Sequence, residues 1–434
     1  MKNFWLIFQY EIKKITHRKL WIAAFTTILF VTILLNLYTI FEFSVGGSGA
    51  NLTTVNKYGR VTTDVAAFFN GVTIRYVNDS DELVEEKVSP LKYIRMQRQF
   101  AMKWSGKPID DETINAMRTF IRKYNSVDDE GYSIGWSIQN YRWVFRTIYY
   151  MGLNPMSENL SEEFIRDNVE RSRNHVYDAE QLTKEEKEYW SERVSMKYPL
   201  IMSYSSAYKE IINKAYWIHI MLILYVIMVL CDVCTVDRAR RLHQIIRATE
   251  KGTNKAIVAR LCAGTAIVVV SALILYILTA IMQFGLFGTD GFRTPIQQIG
   301  GLERSSLMIS VGQAAILICL TSIILLAMIG AITMLLSELL QSSVGAILLP
   351  SVFLLFSLIF DRSIFDENRQ ISQLWQYFPL QRIREEMLYD ERLVSIGNKL
   401  FTAIPFSITL YLVVGVLALI MCAGIAFVRK RDRR

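Results

Sequence analysis

Cys231-Asp-Val-Cys234 has the two-residue spacing of a thiol redox pair or of half a zinc site. It closes an apolar run, and no second CxxC follows to complete a metal site. The four histidines, His17, His175, His219 and His243, are scattered, and no HExxH pair is present. The carboxylate pairs Glu162/Glu163 and Glu185/Glu186 fall in polar segments that read as solvated helices. No GxxxxGKS or GxxxxGKT phosphate loop occurs, and GTNKAIV (252–258) lacks its spacing. These absences lead to the expectation of a chain with no catalytic residue, no metal and no cofactor of its own.

The remaining chemistry is charge. DRARRLHQIIRATEKGTNKAIVARLCAG (237–264) lies between two long apolar runs, and its loop carries Arg238, Arg240, Arg241, Arg247, Lys251, Lys255 and Arg260 against Asp237 and Glu250. Nucleic acid is not the expected partner, because no aromatic side chains stand among these bases to stack on. Leu242, Ile245, Ile246 and Thr249 fall at i, i+3, i+4 and i+7, one face of a helix. Gly252 then breaks it before a second helical start. The loop therefore reads as a topogenic basic segment that also presents a short amphipathic helix, a surface on which a soluble partner can press.

The elements around that loop are long apolar runs. The chain of 434 residues is 52% hydrophobic and 20% charged, a balance that fits membrane helices joined to a sizeable water-exposed part. MKNFWLIFQYEIKKITHRKL reads as a cytosolic amphipathic lead-in rather than a signal peptide, since the apolar run after it is too long and no small-residue cleavage site follows. Spans are expected at about 20–43, 215–236, 261–287, 307–336, 344–360 and 403–428, the fifth kinked at Pro350. The organisation is thus lead-in and first span (1–43), outer domain (44–213), second span (214–236), basic loop (237–260), spans three to five (261–360), an outer amphipathic or re-entrant segment (361–402), and the last span with a basic tail (403–434). Three inner segments (1–19, 237–260, 429–434) hold 17 Lys/Arg and four Asp/Glu, which puts both termini in the cytoplasm. The turn 337–343 fits least well, having an acid and no base.

The region 44–213 is nearly neutral and free of cysteine. It reads as mainly helical: DELVEEKV after Ser80 as a cap, a restart at Pro90, then DDETINAMRTFIRKY, SEEFIRDNVERSRNHVYDAEQL and TKEEKEYWSERV, each with acids leading and bases trailing. The aromatic-rich GYSIGWSIQNYRWVFRTIYYMG (131–152) reads as a strand pair or a buried helix. In 361–402, Trp375, Phe378, Ile383 and Met387 are separated by polar residues, a pattern suited to the membrane interface. The fold class expected is mostly α, a six-helix polytopic membrane protein with a large extracellular domain between spans one and two.

On these features the chain resembles the permease subunit of an ABC transporter of the ABC-2 type. The resemblance covers the six-span architecture rather than a strict motif. It implies a coupling helix in the loop after span two, with Asp237 and Gly252 in the family's places and Glu250 as a second candidate acid. It also implies a proline-containing outer segment, here YFPLQRIREEML with Pro379. The large insert after span one departs from many members and is similar to that of some Gram-positive exporters linked to peptide export or self-immunity. The implied partners are a separate ABC ATPase carrying ATP and Mg, a second permease copy or homologue, membrane lipid, and a peptide, antimicrobial or lipid-like substrate, in the plasma membrane of a bacterium. Two other classes stay open: a membrane sensor or immunity protein whose outer domain binds a peptide or cell-wall precursor without moving it, and an envelope scaffold.

Overall fold

The computed structural model describes residues 2–45, 53–55, 61–63, 72–124, 161–179, 182–194, 201–235, 252–298, 302, 305–359 and 399–431, with 371, 374–375, 377–378, 380–384, 387–388 and 392–396 between them. Helix α1 (Lys2–Thr16) leads into α2 (Lys19–Val45). The polar region between the first two long apolar helices follows with hairpins β1 (Thr53–Val55)–β2 (Val61–Thr63) and β3 (Val72–Val77)–β4 (Leu83–Val88), and helices α3 (Pro90–Met102), α4 (Asp111–Tyr124), α5 (Glu162–Ala179) and α6 (Lys184–Arg193). The apolar helices are α7 (Ser206–Leu230), α8 (Gly252–Phe287), α9 (Val311–Leu340), α10 (Ser343–Ile359) and, after the hairpin β5 (Leu393–Ile396)–β6 (Lys399–Thr402), α11 (Ala403–Arg431).

Five of these helices, α2, α7, α8, α9 and α11, are long and apolar enough to cross a membrane. The sixth apolar helix, α10, has 17 residues and carries Pro350 inside it. The chain is a mostly helical membrane protein.

Helix α9 is the centre of the bundle, packed on α7, α8, α10 and α11. Small residues let it approach: a Cβ on Gly330 would stand 3.0 Å from Leu230 Cδ1 and 3.3 Å from Val268 Cγ2, and one on Gly415 of α11 would stand 3.3 Å from Met328 Cα. Without a hydrophobic drive between helices in lipid, close packing and interhelical hydrogen bonds must hold them. The bonds are present. Asn36 Nδ2 donates to Thr279 Oγ1 (3.2 Å), Gln283 Nε2 donates to Asn36 Oδ1 (2.8 Å), and Tyr225 OH and Ser271 Oγ lie 2.9 Å apart.

The region between α2 and α7 is docked on the bundle. Arg98 of α3 forks onto Asp290 with Nε and Nη2 at 2.9 and 2.6 Å from Oδ2. Gly288, at φ +82°, leaves the space: a Cβ there would meet Arg98 Cζ at 2.6 Å. Ser203 hydrogen-bonds Thr294, and Tyr208 OH donates to the Thr289 carbonyl at 3.1 Å. At the hairpin turn, Lys123 and Tyr124 of α4 hold the Asp81 carboxyl below its usual range.

Three sequence expectations change. Leu83–Val88 is a strand, not a helix capped by Ser80: it pairs with Val72–Val77, and Arg75 Nε bonds Glu85 at 2.7 Å. Ser89 caps α3 instead, accepting from Lys92 N, with Pro90 in the first turn. The domain is thus helical with two antiparallel hairpins. Helix α7 begins at Ser206 rather than at 215, because SAYKEIINK buries Ala207, Ile211 and Ile212, and it ends at Leu230 in a turn that carries both Cys231 and Cys234. Glu186 is not solvated. It closes a capping box with Thr183 and accepts Leu393 N at 3.0 Å, joining α6 to β5. The segment 131–152 lies outside the described residues.

Replacing Gly330 with Leu is expected to overpack the junction of α7, α8 and α9 and cost about 1–3 kcal/mol. Thermal unfolding of the purified protein should show a lowered Tm, with Gly330→Ala affected less.

Candidate functional site

The end of the bundle that carries both chain termini is built from charge. Arg18, between α1 and α2, pairs with Asp232 in the turn after α7. Glu11 of α1 is buried, and its Oε2 lies 3.6 Å from Arg260 Nε of α8 and 3.6 Å from Lys14 Nζ. Glu338 near the end of α9 is buried 3.6 Å from Arg429 Nη1 of α11. Arg429 also donates to the Glu338 and Leu339 carbonyls, capping the last turn of α9. Gln341 then turns the chain with φ 56° and Ser342 Oγ accepts Gly345 N at 3.3 Å to start α10. The turn that lacks a base in sequence therefore receives one from the last helix.

Asp237, Leu242, Ile245, Ile246, Thr249 and Glu250 lie outside the described residues, and Gly252 opens α8. The described flanks of that segment are fixed: Asp232 leads into it and is held by Arg18, and Arg260 follows it and is held by Glu11.

At the other end, Trp375, Ile383 and Met387 are buried in the bundle and Phe378 is half-buried; Pro379 lies outside the described residues. Trp375 and Phe378 ring centroids are 4.2 Å apart, Phe378 stacks on Phe353 at 4.9 Å, and Phe356 meets Trp375 edge-on at 5.5 Å. This is a packed aromatic cluster between the segment and α10, where the sequence pattern suggested residues lying on an interface. The alternation with polar residues misled because the polar side chains go inward too. Arg382 is 1% exposed, with its guanidinium 4.9 Å over the Tyr377 ring. Arg384 Nη2 donates to Tyr216 OH at 3.3 Å, and Tyr411 OH donates to the Tyr377 carbonyl at 3.0 Å. Sequence reasoning passed over both arginines, and a charged residue in a polar–apolar alternation carries no signal of its burial.

His219 was passed over as one of four scattered histidines. It is fully buried in α7, with Nδ1 2.6 Å from Ser322 Oγ of α9, and Ser322 also bonds Tyr276 of α8. The cluster ties the three central helices. The CxxC cysteines diverge: Cys231 Sγ contacts the Met228 carbonyl at 3.2 Å, while Cys234 lies against Cys422 of α11. Among the described residues no three His, Cys, Asp or Glu side chains gather as a metal set.

No family model, curated protein or solved structure matches the chain.

Truncating Asp232 to Ala leaves Arg18 without its carboxylate. The cost is expected between the ~0.2–1 kcal/mol of an exposed pair and the ~3–5 kcal/mol of a buried one. The charge swap Arg18→Asp with Asp232→Arg should recover most of it. A double-mutant cycle on thermal unfolding checks this, and strictly additive single effects would show that the pair does not couple.

Proposed function

We propose that the chain is the permease subunit of an ABC exporter, crossing a bacterial plasma membrane six times with α10 as the fifth span and both termini in the cytoplasm. A separate ABC ATPase, with ATP and Mg, supplies the energy, and a second permease copy or homologue completes the pathway. The substrate class is amphipathic or hydrophobic: a peptide, an antimicrobial or a lipid-like molecule.

The observation that carries this reading is the anchoring of the 236–251 segment. A coupling element has to be rooted in helices that move with it. Here the roots are pinned by Arg18–Asp232 and by Glu11–Arg260, which join α1, the start of α2, the end of α7 and the start of α8. Nucleotide-driven closure of a partner pressing on Leu242, Ile245 and Ile246 would then displace helix ends on three sides of the bundle at once. The chain's sequence contains no phosphate loop, so the nucleotide chemistry falls to the partner.

A second reading, a membrane sensor or immunity protein, is favoured by the Arg98–Asp290 fork. That contact fixes the outer domain to the turn after α8, so a ligand held by the domain would act on the bundle without being moved across it.

Detergent extraction from native cells and capture of the intact protein should recover an ABC ATPase. The Ile245→Asp/Ile246→Asp double variant should lose it while remaining monodisperse. Well-folded wild-type protein that brings down no ATPase would overturn the transporter reading and favour the sensor.

A further inference from the structure

Between α2 and α8 lies a polar cluster that neither the transport reading nor the sensor reading uses. Thr32, Asn36 and Thr39 share one face of α2, at i, i+4 and i+7, and Thr279 and Gln283 share one face of α8, at i and i+4. All five are 2% exposed or less. Hydrogen bonds across such a contact help to hold two helices together in lipid. Here they leave one strong acceptor over.

The bonds fix how both amides point. The Thr32 backbone carbonyl can only accept, so the group that meets it at 2.8 Å is Asn36 Nδ2. Asn36 Nδ2 also donates to Thr279 Oγ1 at 3.2 Å, which turns Asn36 Oδ1 toward Gln283. That oxygen accepts from Gln283 Nε2 at 2.8 Å, and Nε2 donates its second hydrogen to Thr39 Oγ1 at 3.4 Å. Both N–H bonds of each amide are then engaged. Gln283 Oε1 is left buried with no hydrogen-bond partner. Turning the Gln283 amide over gives no relief, because Oε1 would then face the Asn36 oxygen. A buried amide oxygen is costly to leave without a positive partner, so the cluster favours a ligand that brings one.

We propose that Gln283 Oε1 heads a binding site for one small monovalent cation, Na+ or K+, completed by the remaining lone pairs of Asn36 Oδ1, Thr39 Oγ1 and Thr279 Oγ1. Neutral oxygens of this kind take the place of an alkali ion's water shell. None of the five side chains is a carboxylate, the group a divalent cation would call for. Asn36 meets Thr279 and Thr39 meets Gln283, so α2 and α8 run in the same direction through the cluster. They end about one to two turns further on, at Val45 and Phe287, and the negative ends of both helix dipoles favour a cation there over a water molecule. Beyond Gln283, Ile40, Phe284 and Phe287 pack with Ile94 and Ala101 of α3 and with Tyr204. The ion is therefore closed in under α3. The site depends on neither functional reading.

The test is retention of radiolabelled sodium, and of radiolabelled rubidium standing in for potassium, by the intact protein in detergent, read by scintillation proximity. The Tm is taken beside it in NaCl, KCl and choline chloride at equal concentration. The expected result is saturable binding of about one ion per chain and a Tm higher in NaCl or KCl than in choline chloride. Gln283→Met keeps the length of the side chain and removes Oε1; it should lower the affinity at least tenfold and flatten the difference in Tm. Gln283→Glu keeps Oε1 and adds a charge; it should raise the affinity, a gain that misfolding cannot produce. Wild-type protein that retains neither ion saturably would overturn the proposal and leave a water molecule at Oε1. So would Gln283→Met and Gln283→Glu proteins that bind as wild type does, which would place the ion elsewhere.

Discussion

The close approach of α9 to α7, α8 and α11 is the constraint on which the rest of the molecule depends. Gly330 and Gly415 make it possible, and a side chain at either position would enter a neighbouring helix. Lipid supplies no hydrophobic drive to bring helices together, so shape and a few polar contacts have to do it. His219, Ser322 and Tyr276 link the three central helices at mid-bundle, and Asn36, Thr279 and Gln283 add α2 from the side of α8. With that core set, the two ends of the bundle are placed relative to each other.

Each end then has a distinct chemistry. At the terminal end, Arg18–Asp232, Glu11–Arg260 and Glu338–Arg429 are three ion pairs between elements far apart in sequence. At the other end, Arg98–Asp290 and the contacts of Ser203 and Tyr208 lock the polar region between α2 and α7 to the turn after α8, and the Trp375–Phe378 cluster fills the space beside α10. Helix α8 is common to both ends. A push delivered near residues 236–251 and a load on the outer domain would therefore meet in one helix, which is the mechanical sense of the transport reading.

Five of the six expected spans were legible because a run of apolar residues has few other physical outcomes, and the starts of α7 and α8 moved nine residues earlier, from 215 to Ser206 and from 261 to Gly252, where stretches such as SAYKEIINK joined a helix. The leading acids of α4, α5 and α6 were legible for the same local reason, and so were the trailing bases of α4 and α6, whereas the last turn of α5 carries no base. What was not legible is non-local. Nothing near Arg18 announces Asp232, and nothing near Glu338 announces Arg429. Leu83–Val88 reads as an acidic helix start until its pairing with Val72–Val77 is seen. Arg382 reads as a solvent residue until the chain folds it under Tyr377. The residues chosen for coupling, Asp237 to Glu250, lie outside the described residues, so it is their anchors that the structure contributes.

The sidedness of the chain is the claim on which the functional account rests, and labelling measures it directly. Cysteine would be placed singly at Lys13, Asn115 and Ser342, all exposed, and tested with a membrane-impermeant maleimide against the wild-type background. The account predicts that Asn115→Cys is labelled on intact cells, whereas Lys13→Cys and Ser342→Cys are labelled only after permeabilisation. Labelling of Ser342→Cys together with Asn115→Cys from outside would contradict six spans with cytoplasmic termini, and with them the coupling role of the 236–251 segment.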